Sequence, residues 1–243
     1  MFVRTLDQVF EVGFRLLLWI VYLYLDQQTP YIRHIEEEEL WYYRYPSITS
    51  IIPLAYLYII MVGIPFSIYA THFLFSKKET IVTDIRNQFF GISLAYGINA
   101  FLTVILKLIV GRPRPNFFLR CFPDGVGTQV EDCTGDYGGQ MDARKSFPSA
   151  HASFLFTGMV YVTCYIFHEF DFSQPFFARG VLFFSGINTA TCRCDAFFKS
   201  DVIGGALIGT GIALFVFYHY QDRCPEKEQK YQESIRQLAD LNK

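Results

Sequence analysis

The residues best suited to chemistry form two short segments on either side of a polar loop. The first reads Lys-Leu-Ile-Val-Gly-Arg-Pro-Arg-Pro and contains Lys107, Arg112 and Arg114. Its prolines favour an extended path, which keeps the three cations near one another. A guanidinium binds phosphate oxygens in pairs, and an ammonium acts as a point charge. The segment therefore indicates a phosphate site. The plainer alternative is a basic helix end that reaches lipid headgroups.

The second segment, residues 144–151, reads Arg-Lys-Ser-Phe-Pro-Ser-Ala-His. Ser149 stands where a helix N-cap belongs, and the backbone N–H groups of Ala150 and His151 would face an anion at the positive end of the helix dipole. An imidazole here can donate a proton to a leaving oxygen. We expect this segment to bind an anion with His151 as general acid. The simpler alternative is a polar anchor at a membrane surface.

Apolar stretches adjoin both segments and are long enough to cross a membrane. Of the 243 residues, 51% are hydrophobic and 18% charged. A membrane-spanning helix needs about 20 apolar residues. The sequence predicts an all-α integral membrane bundle of six transmembrane helices within residues 1–221, and a polar tail at 222–243. The predicted spans are 9–25, 48–75, 89–106, 149–167, 176–192 and 202–219.

Charged and small residues within these spans have simple explanations. Arg15 and Arg179 lie close enough to a span end for their side chains to reach the membrane surface at modest cost. In the last span, Gly205 and Gly209 are four positions apart. That spacing favours close helix packing over ligand binding.

Loop charge predicts the orientation of the bundle. Cations cluster in loop 76–88 and just beyond the last span, and cytoplasmic loops carry an excess of Lys and Arg. We therefore expect the termini and loop 76–88 to be cytoplasmic. Loops 26–47, 107–151 and 193–201 then share the opposite face. The net charge of −2 does not suggest a nucleic-acid partner.

The two segments together resemble a known family. Lys107, six residues and Arg114-Pro115, followed by Pro148-Ser149-Ala150-His151, are similar to the first two signature motifs of the type 2 phosphatidic acid phosphatases, also called lipid phosphate phosphatases. The surrounding residues resemble the subgroup that acts on phosphatidate and diacylglycerol pyrophosphate. The resemblance covers roughly residues 5–220.

The resemblance implies an enzyme that hydrolyses the phosphate of phosphatidate, lysophosphatidate or diacylglycerol pyrophosphate. Neither a metal nor a cofactor is implied. The enzyme would lie in the endoplasmic reticulum or plasma membrane with its site facing the lumen or exterior, and the sequence leaves open whether it forms a homo-oligomer. His151 would protonate the leaving alcohol. The residues implied to bind phosphate are Lys107, Arg114, Ser149, the N–H of Ala150, which replaces the usual Gly, and Arg193.

The third family motif is incomplete. It requires an Arg, a nucleophilic His and an Asp that orients this His. Arg193 and Asp201 match its ends, but they are eight positions apart where the motif has ten. Phe197 or Lys199 stands where the His belongs. Two alternatives remain: a phosphatase whose turnover is in doubt, or an inactive relative or shortened isoform that binds lipid phosphates or a membrane partner.

The remaining histidines do not fill this gap. By the predicted topology, only His34 lies on the same face as His151, and it belongs to the loop between the first two spans. The others are at cytoplasmic ends: His72, His168 and His219. In the polar loop, Cys121 and Cys133 either form a disulfide, as an oxidising compartment would allow, or remain free.

Overall fold

The computed structural model describes residues 2–45, 54–76, 81–127, 130–170 and 199–221. Within these ranges the chain forms helices, turns and irregular segments and no strand, which confirms the predicted all-α class. The helices are α1 (Phe2–Asp26), α2 (Leu54–Phe75), α3 (Ile81–Val110), α4 (Phe117–Cys121), α5 (Tyr137–Asp142), α6 (Ala150–Phe170) and α7 (Lys199–Gln221). Short 3-10 helices lie at Glu37–Tyr43 and Val130–Asp132.

Four of the helices, α2, α3, α6 and α7, are long and apolar enough to cross a membrane. They correspond to four of the six predicted spans and make the protein an integral membrane protein. The first predicted span, 9–25, lies within α1, but α1 does not belong to this apolar group. The predicted span 176–192 and the tail 222–243 lie outside the described residues.

Several helices meet at one end of the molecule: α1 and α3 end there, and α2, α6 and α7 begin there. Three backbone hydrogen bonds form at this end: the Tyr31 N–H donates to the Leu108 carbonyl at 2.8 Å, the Tyr45 N–H to the Pro115 carbonyl at 3.1 Å, and the Ser149 N–H to the Asp201 carbonyl at 3.0 Å. A small apolar core lies at the same end and includes Ile35, Leu40, Tyr43, Phe117, Phe118, Cys121, Phe122 and Ala143. Cys121 and Cys133 form a disulfide beside it, with Cα atoms 4.8 Å apart. We refer to this end of the molecule as the loop end.

Helix α3 ends at a glycine that no other residue could easily replace. Gly111 has φ +56°, and a Cβ built on it would lie 1.9 Å from the Tyr31 carbonyl oxygen. Its N–H donates to the Lys107 carbonyl at 3.1 Å. A left-handed glycine is the usual way to end a helix because it has no Cβ to clash. This turn places the Lys107 side chain beside the extended chain that carries Arg114.

Helices α6 and α7 approach each other closely at two of the α7 glycines, Gly205 and Gly209. A Cβ on Gly205 would lie 2.5 Å from the Ser149 carbonyl oxygen, and one on Gly209 would lie 2.3 Å from that of Ser153. The predicted packing role is therefore confirmed. The contact holds the start of α6, where the predicted anion-binding segment lies, against α7.

Arg15 differs from the prediction that its side chain reaches the membrane surface. It is 8% exposed and donates to the Phe90 carbonyl at 3.0 and 3.3 Å and to the Ser93 hydroxyl at 3.1 Å. It also hydrogen-bonds the Tyr220 hydroxyl. The guanidinium turns inward because α3 and α7 offer oxygen acceptors at its own depth. Such packing against a bundle is a common arrangement for charges within a membrane.

Candidate functional site

A cavity of about 350 Å³ opens at the loop end of the bundle. Its wall combines cations, one imidazole and an apolar surface. The polar lining residues are Asp26, Lys107, Arg114, Asp142, Lys145, Ser146 and His151, and the others are Tyr22, Leu57, Tyr58, Met61, Pro148, Ala150 and Phe154. The structure therefore brings together four of the predicted site residues, Lys107, Arg114, Ala150 and His151, from two segments of the sequence.

Arg114 is fixed on the wall by its backbone and its side chain. Its N–H donates to the Ala143 carbonyl at 2.7 Å, and its guanidinium donates to the Asp142 carboxylate at 3.2 Å. Arg120 donates to the other oxygen of Asp142 at 2.8 Å. Burial lowers the pKa of Arg114 from its ordinary value, and the Asp142 carboxylate opposes this shift. Arg114 nevertheless stays charged, since a guanidinium does not lose its proton in proteins.

Lys107 enters the same cavity from the last turn of α3. Its ammonium makes no hydrogen bond or ion pair with any residue in the described ranges. An ammonium carries three donors and no acceptor. Lys107 and Arg114 together present donors to whatever anion occupies the cavity.

The start of α6 has the predicted capping geometry. The Ser149 hydroxyl accepts a hydrogen bond from the Ala152 N–H at 3.4 Å. Ser149 is 1% exposed and is not part of the cavity wall, whereas Ala150 and His151 are. First-turn N–H groups such as theirs have no partner within the helix and favour an anion.

His151 lines the cavity and has a buried ring nitrogen. Its Nε2 atom has no hydrogen-bond partner among the residues described. A nitrogen in this state can carry the proton that a leaving oxygen needs. The geometry therefore suits the predicted general acid.

Asp201, predicted to orient a nucleophilic His, is bound by two side chains of the loop end. Its carboxylate is 0% exposed and accepts hydrogen bonds from the Ser146 hydroxyl at 2.6 Å and from Arg112 at 2.7 Å. It is not part of the cavity wall. Arg193 and Phe197, from the same predicted motif, lie outside the described residues, and Lys199 is exposed at the start of α7.

The other histidines do not reach the cavity. His34 lies at the loop end with a 73% exposed side chain, 3.4 Å from Glu36. His72 contacts Tyr165 and lies 3.9 Å from Glu169, near the opposite end of α2 and α6. His168 lies 3.9 Å from the same Glu169, and His219 lines a separate cavity beside Arg15. Within the described parts of the chain, no three His, Cys, Asp or Glu side chains are grouped to hold a metal ion.

Four polar wall residues were missing from the predicted site: Asp26, Asp142, Lys145 and Ser146. The sequence places Lys145 beside the second motif as a flanking cation. Its neighbours in space, Asp26 and Lys107, are distant in sequence, so spacing alone could not assign it. Asp142 lies in a short helix whose sequence has no feature that indicates a site.

Sequence comparisons relate the chain to known proteins. Residues 88–224 match the PAP2 superfamily. The chain belongs to the PAP2 superfamily. It is similar to Lipid phosphate phosphatase 2 of Arabidopsis thaliana, with 31% identity over 84% of this chain and 74% of that protein. It is also similar to Lipid phosphate phosphatase 1 of the same plant, with 29% identity over 81% of this chain and 63% of that protein.

A less similar relative is named as related to the phospholipid phosphatases. Human Phospholipid phosphatase-related protein type 5 is 26% identical over 79% of this chain and 74% of that protein. No solved structure gives a significant match. The match to the PAP2 superfamily includes Lys107, Arg114 and His151, so these three cavity residues lie in the part of the chain that matches the family.

Proposed function

We propose that this PAP2 protein is a membrane lipid phosphate phosphatase. Its substrates would be phosphate monoesters of the phosphatidate class: phosphatidate, lysophosphatidate or diacylglycerol pyrophosphate. One observation carries the proposal: a single cavity joins a cationic end to an apolar wall. Lys107, Arg114 and His151 suit a phosphate group, while Leu57 and Met61 suit the adjoining hydrocarbon chain.

The cationic end favours an anion because its donors are incompletely satisfied. Lys107 has no protein partner in the described ranges, and the buried Nε2 of His151 has none either. A partly buried ammonium whose donors have no acceptor is unfavourable. Phosphate oxygens would supply these acceptors together with negative charge.

The apolar wall supports a lipid over a soluble phosphate ester. It is formed by α1 through Tyr22 and by α2 through Leu57, Tyr58 and Met61. Tyr58 is 50% exposed and the adjacent Ile59 is 64% exposed, as expected of a helix face that contacts hydrocarbon. A lipid could therefore place its headgroup in the cavity while its chains remain among the helices and the bilayer.

In the proposed reaction, Lys107 and Arg114 bind the non-bridging phosphate oxygens. A water molecule attacks the phosphorus atom as the bond to the alcohol oxygen breaks, and His151 donates a proton to that oxygen. The products are the free alcohol and inorganic phosphate, and the attacking water gives a proton to the solvent, from which His151 is reprotonated. This step needs no metal in our proposal, and the assay below includes a chelator for that reason. The relatives named lipid phosphate phosphatases support the same reaction class.

The second candidate function is lipid phosphate binding without turnover. It is favoured by Asp201, because its carboxylate is bound by Ser146 and Arg112. The family pattern reserves that carboxylate for a nucleophilic His, which this sequence replaces with Phe197 or Lys199. Loss of one member of a group that acts together can cost several orders of magnitude in rate.

Phosphate release from dioctanoyl phosphatidate in detergent micelles, with EDTA and no magnesium, tests the proposal. We expect the wild type to release phosphate and His151→Ala to do so at least about 100-fold more slowly, the usual contribution of general acid catalysis. His34→Ala is the matched control, since this exposed histidine lies at the loop end but not on the cavity wall. It should keep the wild-type rate.

Two other outcomes would change the conclusion. If the wild type releases no phosphate but binds dioctanoyl phosphatidate, and Arg114→Ala abolishes that binding, the second candidate replaces the first. If the wild type neither hydrolyses nor binds phosphatidate, both candidates are wrong.

A further inference from the structure

We propose that Lys145 is an additional phosphate-binding residue of this cavity, and that it makes the site prefer phosphate monoesters to phosphate diesters. The inference rests on the proposed function, because it names the headgroup that the same site selects. Lys145 has no counterpart among the motif residues predicted to bind phosphate. It is assigned from its burial, its contacts and its place on the wall.

Lys145 is held at the cavity by the turn between α5 and α6. Its N–H donates to the Asp142 carbonyl at 3.1 Å. The residue is only 8% exposed, yet its side chain lines the cavity together with Lys107 and Arg114. The wall therefore has three cationic side chains, contributed by α3, by the extended segment after it, and by the turn before α6.

The contacts of Lys145 leave its charge without a counter-ion. Its ammonium donates to the backbone carbonyl of Asp26 at the end of α1. That acceptor is neutral, and Lys145 forms no ion pair with a carboxylate of the described chain. Because an ammonium has three donors, two remain for a ligand. A buried ammonium in this state is stabilised when an anion enters the cavity.

The two carboxylates on the wall, Asp26 and Asp142, offset part of the positive charge of Lys107 and Arg114, but neither forms an ion pair with Lys145. Asp142 is bound by both Arg114 and Arg120, and Asp26 contacts Lys145 through its carbonyl and not its carboxylate. Near neutral pH a phosphate monoester carries about −1.5 to −2 charges, whereas a diester carries one. Coulomb attraction scales with ligand charge. Each additional cation therefore strengthens monoester binding more than diester binding.

Arg144 provides a matched control for the neighbouring Lys145. Arg144 is also buried, at 4% exposed, and it also donates to a backbone carbonyl of the segment after α1, that of Arg33 at 3.0 Å. Its guanidinium lies 4.7 Å from the Phe117 ring centroid, and it is not on the cavity wall. Arg144→Gln thus removes a buried cation and its hydrogen bond to the Arg33 carbonyl without changing a residue of the cavity wall.

The test measures dissociation constants by calorimetry in detergent micelles, in a His151→Ala background that prevents turnover. The ligands are dioctanoyl phosphatidate, dioctanoyl phosphatidylglycerol and inorganic phosphate. We expect Lys145→Gln to weaken phosphatidate binding about tenfold or more, as loss of a charge-assisted hydrogen bond does, and phosphatidylglycerol binding by less than about threefold. Lys145→Arg should restore most of the affinity, and Arg144→Gln should leave it within about twofold.

The ligands also separate a lipid site from a site for free phosphate. A parallel loss of phosphatidate and inorganic phosphate binding in Lys145→Gln supports direct contact with the phosphate group, and a wild type that binds phosphatidate much more tightly assigns the site to a lipid. Equal losses for phosphatidate and phosphatidylglycerol would overturn the inference, as would an equal loss in Arg144→Gln.

Failure of this inference can be distinguished from failure of the proposed function. If Lys107→Gln loses phosphatidate binding while Lys145→Gln keeps it, the function stands and the role of Lys145 is wrong. If the parent protein binds no phosphatidate, the function itself is wrong. Should Lys145→Gln not fold, Lys145→Met, which keeps the apolar stem of the side chain, replaces it.

Discussion

The Asp201 carboxylate joins two segments that are far apart in the sequence. It is fully buried and accepts hydrogen bonds from Ser146 and Arg112. Through these contacts the start of α7 is tied to both segments that carry the predicted phosphate-binding residues. A buried carboxylate must be compensated by such donors, because its transfer from water is otherwise very unfavourable.

Replacement of Arg112 should therefore lower the stability of the protein more than replacement of Asp201 by a neutral residue. Removal of one partner from a buried ion pair typically costs roughly 3–5 kcal/mol. Because Arg112 is 28% exposed, we expect Arg112→Gln to lower the free energy of unfolding by about 2 kcal/mol or more. Asp201→Asn leaves no buried charge behind and should cost less. Denaturant unfolding in detergent measures both.

A double variant provides the control for this prediction. Arg112→Gln combined with Asp201→Asn should be more stable than Arg112→Gln alone, since residue 201 then carries no charge for Arg112 to neutralise. If Arg112→Gln has the stability of the wild type, the ion pair does not hold these segments together.

Close packing of α6 on α7 positions the start of α6, which lines the cavity, and it depends on Gly209. A methyl group there would meet the Ser153 carbonyl oxygen at 2.3 Å, so the helices would have to separate. Overpacking of this kind typically costs about 1–3 kcal/mol. We expect Gly209→Ala to lower the thermal unfolding temperature and to weaken phosphatidate binding, because the start of α6 would move.

Gly211→Ala is the matched control two positions along the same helix. A Cβ at Gly211 would meet nothing within 4 Å, and alanine favours a helix over glycine by about 1 kcal/mol. This variant should be as stable as the wild type or more stable. Equal destabilisation by both substitutions would show that helix propensity, and not the contact with α6, decides the effect.

The sequence predicted these elements well where the physical signal is local. Runs of apolar residues predicted four helices that could span a membrane, and the role of Gly205 and Gly209 followed from their spacing. Helix bounds were less accurate: α3 extends from Ile81 to Val110, beyond the predicted 89–106. The helix continues outside the hydrocarbon through polar residues such as Asp84 and Arg86. Hydropathy therefore detects only the part of the helix that lies within the membrane.

Features that depend on distant partners could not be predicted. Arg15 turns inward because Phe90 and Ser93 lie at its depth, which its position near a span end does not reveal. Lys145 belongs to the cavity because α1 ends beside it. The capping position of Ser149 was predictable because a cap acts over a few residues. The attachment of Asp201 to Arg112 required the folded chain.

The structure places the cavity at the loop end, and the charge pattern predicts which side of the membrane this end faces. The segment 27–45 is held there by the hydrogen bonds from Tyr31 to the end of α3 and from Tyr45 to Pro115. The cation-rich segment 76–88 follows α2 and includes the start of α3, at the ends of these two helices that lie opposite the cavity. By the positive-inside tendency, the loop end should face the lumen or exterior. A lipid phosphate would then be bound from the non-cytoplasmic leaflet.

Engineered glycosylation sites test this orientation, since glycans are added on the lumenal side to the acceptor Asn-x-Ser/Thr. Asp124→Asn with Val126→Thr creates an acceptor in the exposed loop after α4, where Val126 is 82% exposed and the intervening Gly125 keeps its φ of +72°. Gln232→Asn creates one in the tail, ahead of Glu233 and Ser234. We expect the first variant, expressed in eukaryotic cells, to gain a glycosidase-sensitive mass increase and the second to gain none. The reverse pattern would place the cavity on the cytoplasmic side and contradict the orientation predicted from charge.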